Sequence, residues 1–131
     1  MQVEVSSEVE QAMLAHAAAA HPREACGLLL GADARIASAT LAANVHPEPE
    51  THFEIDPQAL VDAHRAARAG GPEVVGYWHS HPRGSADPSA TDRAHASADG
   101  RVWAIVGEGK VGWWRDTAEG FVALSYARSA R

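Results

Sequence analysis

The sequence predicts an α/β fold, a three-layer sandwich in which helices flank a mixed, curved β-sheet, and three observations carry that expectation. Apolar residues make up 46% of the 131 residues, enough for one domain with a core of its own. Segments with helical spacing and segments with strand character are interspersed, without the strict alternation of an all-parallel chain. The C-terminal third reads as consecutive strands joined by glycine turns. A single domain over residues 1–131 follows.

In chain order, Val3 and Val5 alternate with polar residues and open a strand. Ser6 or Ser7 then caps a helix to about Ala20, with Val9, Met13, Leu14 and Ala17 spaced for one buried face. Pro22 breaks it. "ACGLLLGA" is a short continuous apolar run, as expected of a strand covered on both faces. "RIASATLAANV" alternates and pairs with it through a turn at Gly31–Asp33. "HPEPETHFEID" is a Pro-rich loop running into a short extended piece. "DPQALVDAHRAARAGG" carries an Asp N-cap, Pro at the first helical position and a Gly-Gly stop, so it is a helix. "EVVGYWHSH" is a strand running toward Pro82, and "PSATDRAHASADG" a short helix. "RVWAIVG", "KVGWWRD" and "FVALSYA" are the three closing strands.

A formal net charge of −6 and a pI near 5.7 argue against a duplex nucleic-acid binder, which needs a basic stripe to engage phosphates. Cys26 is the only cysteine, which rules out an internal disulfide and a thiolate-rich zinc cage. No signal peptide is expected, since acidic residues interrupt the N-terminal apolar stretch and no basic region precedes it. No run approaches eighteen apolar residues, so no membrane association and a cytoplasmic location are the expectations.

The chemistry concentrates in "GYWHSHPRGSADPSATD", residues 76–92. Side chains at i and i+2 of a strand share a face, so His79 and His81 present two imidazoles together while Ser80 faces away. Two neutral imidazoles begin a zinc site, and a catalytic zinc takes a third protein ligand and leaves one position to water. Ser89-x-x-Asp92 has the spacing of a capping-box-like helix start. A residue in the first turn of that helix sits beside the strand end it follows, so Asp92 can turn its carboxylate between the imidazoles. Asp87 is the competing carboxylate, but it lies in the loop immediately before Pro88 with no element to hold it. On spacing alone, a metal site and a capped helix beside two surface histidines remain equally open.

These residues resemble the JAMM motif of the MPN+ (JAB/Mov34-type) metalloproteases. His79-Ser80-His81-Pro82, ten intervening residues, and Pro88-Ser89-x-x-Asp92 match His-x-His-Pro…Ser-x-x-Asp. "HPREACGLLLG" is similar to the segment that carries the family's upstream glutamate, which places Glu24 there. "HFEIDP", residues 52–57, is similar to a stretch of small stand-alone bacterial members. The resemblance implies a cytidine-deaminase-like sandwich with one zinc ion per chain, bound by His79, His81 and Asp92 with water in the fourth position. Glu24 would serve as general base on that water and then as proton donor to the leaving amine. Ser89 would hydrogen-bond the oxyanion. Cys26 reads as a buried core thiol, and Trp78, next to the site in sequence, as core or as a wall of the substrate channel. His95, one turn after Asp92, reads as an exposed residue or a partner of the site, and His46 and His52 show no ligand spacing.

The substrate that the resemblance implies is a ubiquitin-like or sulfur-carrier protein, cut at the amide bond after a C-terminal Gly-Gly. An extended tail adding as a strand beside the site would use main-chain hydrogen bonds for recognition. Two rival classes are weighed against this reading. A non-catalytic MPN-type binding module for a ubiquitin-fold partner has no need of a base at Glu24. A zinc deaminase needs Pro-Cys-x-x-Cys, which one cysteine cannot supply, and neither a His-x-His-x-Asp-His run nor a His-Glu-x-x-His helix is present.

Overall fold

The fold is known from a computed structural model, which describes residues 2–128. Its elements are β1 (Gln2–Val5), α1 (Ser7–Ala20), β2 (Cys26–Ala32), β3 (Arg35–Ala42), α2 (Pro57–Arg68), β4 (Glu73–Ser80), α3 (Ala90–His95), β5 (Val102–Gly107), β6 (Lys110–Thr117), β7 (Gly120–Ala123) and β8 (Ser125–Arg128). Local chemistry explains the helix starts. The Ser6 hydroxyl accepts from the Val9 N–H and caps α1. Asp56 accepts from Gln58 N–H with Pro57 behind it and starts α2, and Gly70, at φ 99°, turns the chain away after it. The β2–β3 turn begins two residues later than expected and ends one later. Ala32 still pairs with Arg35, so the connection is Asp33–Ala34, and Asp33 takes the left-handed φ of 53° that an Asp side chain tolerates.

The strands form one mixed sheet of eight in the order β7-β6-β5-β4-β2-β3-β1-β8, parallel at β1–β3, β1–β8 and β4–β5 and antiparallel elsewhere. "FVALSYA" is therefore not one strand. It divides at Leu124 into β7 and β8, which lie at opposite ends of that order. Seven strand spacings of about 4.8 Å would put the ends of a flat sheet roughly 34 Å apart, whereas one connecting residue spans only a few ångströms. The sheet must curl until its two ends nearly meet. The contacts of α1 agree, for it packs against β3, β5 and β6, and Glu10 on α1 takes hydrogen bonds from Trp113 on β6 and Arg128 on β8.

The helices occupy opposite faces. Val9 and Met13 of α1 join Leu29, Trp78, Ala104 and Trp113 in one core, while Leu60 and Ala63 of α2 cover Cys26, Leu28 and Val74 on the other side. Strand alternation then assigns β4: Trp78 goes under α1, and Tyr77 and His79 face the α2 side. Trp78 is thus core and not a channel wall. It is fully buried, and its indole N–H donates to the Thr40 carbonyl at 2.9 Å. Gly27 makes room for that indole, since a Cβ there would stand 2.5 Å from Trp78 Nε1 and 1.7 Å from the Thr40 oxygen.

Candidate metal centre

β4 ends at Ser80, and the His81 N–H prolongs the pairing by donating to the Val106 carbonyl at 2.7 Å. His79 and His81 consequently project side by side from the same face. The chain then passes through the 82–88 loop and returns at Ser89, which caps α3. Ser89 Oγ accepts from the Asp92 N–H and the Asp92 carboxylate accepts from the Ser89 N–H, both at 3.0 Å. The box turns Asp92 back over the strand end. Asp92 Oδ1 lies 3.0 Å from His79 Nε2, Asp92 Oδ2 lies 3.0 Å from His81 Nε2, and the two Nε2 atoms are 3.1 Å apart. This is the one group of three convergent His, Cys, Asp or Glu side chains among the described residues. Asp87 is not in it; that carboxylate is exposed and hydrogen-bonded to Ser85 in its own loop.

The donor set fits a small divalent cation. Ligand atoms about 2.0–2.1 Å from a tetrahedral zinc stand roughly 3.3 Å from one another, close to the separations found. The His81 tautomer fits as well. His81 Nδ1 faces the Ser85 carbonyl at 2.7 Å, and a carbonyl only accepts, so the proton is on Nδ1 and the neutral ring turns a lone pair at Nε2 toward the site. His79 Nδ1 is buried with no hydrogen-bond partner. Packing orients that ring instead: Phe53 stacks on it at 4.2 Å and Trp103 meets it edge-on at 5.7 Å.

Electrostatics keeps His79 neutral and Asp92 ionised, while His81 holds more tightly a proton that a metal would have to displace. Burial pushes the His79 pKa down and outweighs the Asp92 carboxylate, which favours the neutral ring. Burial also opposes charge on His81, but hydrogen bonds to Asp92 and Ser85 outweigh it and raise the pKa. Burial likewise disfavours charge on Asp92, yet the hydrogen bonds from both imidazoles prevail and hold its carboxyl well below the usual carboxylate range.

Glu24 precedes β2 and is buried, 7% exposed, rather than a solvated loop charge. It shares with Asp92 the wall of an open cavity of about 510 Å³. Burial raises its pKa to about 7; His81 lowers it and Asp92 raises it, so all three lie within electrostatic reach. Ser89 is not on that wall and is tied to Asp92 by the capping box. Capping uses only a lone pair of its hydroxyl, so the O–H stays free to donate and need not change partners. Cys26 is fully buried beside the carbonyls of Ala42 and Ala43. His95 is exposed and lines the cavity, edge-on to His52. His46 and His52, which have no ligand spacing in the sequence, stack at 4.6 Å and line it too. Only the resemblance of "HFEIDP" pointed to this 44–55 loop.

Residues 6–117 match a family described as prokaryotic homologs of the JAB domain. A protein of Haloferax volcanii named desampylase is 36% identical over 130 residues, 94% of each chain. A Thermus thermophilus protein named probable TtuB-protein conjugate cleaving protease is 37% identical over 78 residues, 60% of this chain and 52% of the relative. Among solved structures, a JAB1/MPN domain protein from Archaeoglobus fulgidus superimposes with a TM-score of 0.62 at 22% identity, covering 96% of this chain and 98% of that one, a likeness of fold.

Proposed function

The chain belongs to the family of prokaryotic homologs of the JAB domain, and from that premise we propose that it is a zinc-dependent isopeptidase of the JAMM type. Its substrate in this reading is a ubiquitin-like or sulfur-carrier protein, hydrolysed at the amide bond after a C-terminal Gly-Gly. The observation that carries the proposal is the convergence of His79, His81 and Asp92 beside a cavity that Glu24 also lines. A purely structural metal site has no use for a buried carboxyl next to it. The relatives support the same class: the name of the Thermus thermophilus protein is that of an enzyme cutting a protein conjugate.

His79, His81 and Asp92 would hold the zinc. When bound, that ion supplies Lewis-acid chemistry, lowering the pKa of a water toward about 7 and polarising a carbonyl. The remaining work falls to the chain. Glu24 takes a proton from the attacking water and delivers it to the departing amine, so no net proton is left on the enzyme. A carboxyl that burial has brought to about 7 exchanges protons in both directions at neutral pH. Such acid–base assistance contributes roughly a hundred- to ten-thousand-fold. Ser89 has a free hydroxyl proton with which to stabilise the oxygen of the scissile carbonyl as it becomes tetrahedral. Phe53, Tyr77 and Trp103 give the cavity an apolar lining that limits competing water.

The test is mass spectrometry of carrier proteins extended beyond Gly-Gly, through a peptide or a lysine isopeptide, incubated with zinc-loaded wild type and with Glu24→Gln. Wild type is expected to trim them to the glycine terminus, and Glu24→Gln to lose at least a hundredfold in rate while keeping its zinc. A zinc-loaded wild type that leaves every such carrier intact removes the substrate assignment.

A further inference from the structure

Glu24 stands outside the regular ladder, two residues before β2 begins at Cys26, so strand pairing does not fix it. Its main chain is held by other means. The Glu24 N–H donates to the Pro49 carbonyl at 2.7 Å, and the Glu24 carbonyl accepts from Asn44 Nδ2 at 3.0 Å. Asn44 spends its whole side chain on this corner. Nδ2 also donates to the His52 carbonyl at 3.0 Å, with a longer contact to Pro49 at 3.5 Å, and Oδ1 accepts from the N–H groups of His46 and Glu54 at 3.1 and 3.0 Å. A primary amide offers two donor hydrogens and two acceptor lone pairs, so its capacity is filled.

The other flank is tied to the ligand strand. The Ala25 N–H donates to Ser80 Oγ at 2.8 Å, and the Ser80 N–H donates to the Ala25 carbonyl at 3.0 Å. Residues 24 and 25 therefore bridge two bodies, the strand that carries His79 and the 44–54 loop. One side of the bridge is strand-like and rigid. The other rests on one main-chain bond, from the Glu24 N–H to the Pro49 carbonyl, and on Asn44, which joins the Glu24 carbonyl to the turns of the loop.

We propose that Asn44 is a positioning residue for the reaction: by clamping the main chain of Glu24 to the 44–54 loop, it sets where the Glu24 carboxyl stands over the metal centre. This inference rests on Glu24 being the acid–base group. A misplacement of that group by about 1 Å is enough to lose on the order of a hundredfold in rate. Asn44 does not touch the three convergent ligand atoms, so its loss should spare metal binding.

Asn44→Asp separates the clamp from simple loop folding. It keeps the oxygen that receives the His46 and Glu54 amides and discards the hydrogens given to Glu24 and His52. The full chain, wild type, Asn44→Asp and Asn44→Ala, is compared by zinc affinity, by amide hydrogen exchange at each residue, and by kinetics on a ubiquitin-fold carrier ending in Gly-Gly-aminocoumarin. Both variants are expected to lower kcat by about ten- to a hundredfold with KM held within about threefold. Exchange at the Glu24 amide should quicken by at least about tenfold while that of the β4 amides and the zinc affinity stay at wild-type values. Wild-type kcat in Asn44→Asp overturns the proposal, as does an unchanged Glu24 amide. A parallel rise in exchange across β2 and β4, or a matching fall in zinc affinity, overturns it too, because Asn44 would then serve the fold as a whole. If wild type cleaves no carrier amide while the Glu24 amide responds as stated, the proposed function fails and the clamp stands.

Discussion

Glu24 and Cys26 are two residues apart, and burial raises the pKa of both, with opposite chemical results. It brings the carboxyl to about 7, where it can trade protons in water, and pushes the thiol, with help from the Glu24 charge, to about 12, where it is inert. Native protein at pH 8 should therefore resist iodoacetamide at Cys26 and react only when urea unfolds it, which mass spectrometry of the alkylated chain would read. The thiol also makes stability depend on pH. The folded group ionises near 12 and the unfolded one near 9, so the folded chain keeps a proton that the unfolded chain gives up. That contribution is complete below about pH 9 and drains away as pH climbs toward 12. Cys26→Ala should flatten the decline of the urea midpoint between pH 9 and 11 relative to wild type. Among the ligands, Asp92→Asn should abolish stoichiometric zinc uptake in equilibrium dialysis, since both imidazoles are oriented against that one carboxylate. The convergence of His79, His81 and Asp92 could be read from sequence because His79 and His81 are two apart on a strand and Ser89 and Asp92 three apart at a helix start. Both are local periodicities. The part played by Asn44 could not, since its bonds to Glu24 and His52 join residues twenty and eight positions away.

Short elements hold the centre in place, and the least regular of them matters most. The 82–88 loop lies flat on β5 and β6 because Gly107 and Gly112 present no Cβ. A methyl at Gly112 would stand 2.4 Å from the Ala86 oxygen, which the Trp114 indole N–H holds at 3.0 Å. The same loop supplies the Ser85 carbonyl that fixes the His81 tautomer. Gly112→Ala should lift the loop and weaken zinc binding by about ten- to a hundredfold, with the fold retained, as titration against a chromophoric chelator would report. Gly27→Ala meets the backbone of β3 and Trp78 in the middle of the sheet and should destabilise the chain by about 3 kcal/mol or more in urea, at any zinc concentration. None of Gly27, Gly107 and Gly112 announced its purpose in the sequence, because each accommodates a segment far along the chain. The helices were the easier elements to foresee: caps at Ser6 and Asp56 act within three residues of the helix they start.

At the scale of the molecule, a cation held by His79, His81 and Asp92, in place of the hydrogen bonds that join them, would couple metal to fold. At zinc a hundredfold above its dissociation constant, linkage contributes about 2.7 kcal/mol. Chelation should accordingly lower the melting temperature by on the order of 10 °C, and Asp92→Asn should show no such difference. The sandwich was foreseeable from mixed helix and strand periods, but its curling was not, since "FVALSYA" has the alternation of one strand and nothing in it marks Leu124 as a division. That division has a mechanical consequence. β8 is held by four residue pairs to β1, and β1 by only two to β3, so the weakest stretch of wall adjoins the seam. β4 lies near the middle of the strand order, remote from both ends. A protease nick at Leu124 would let the rolled sheet spring open along residues 2–5 and 125–128, like a barrel losing one stave, while β2, β4 and β5 stayed zipped. The nicked chain should still retain its zinc.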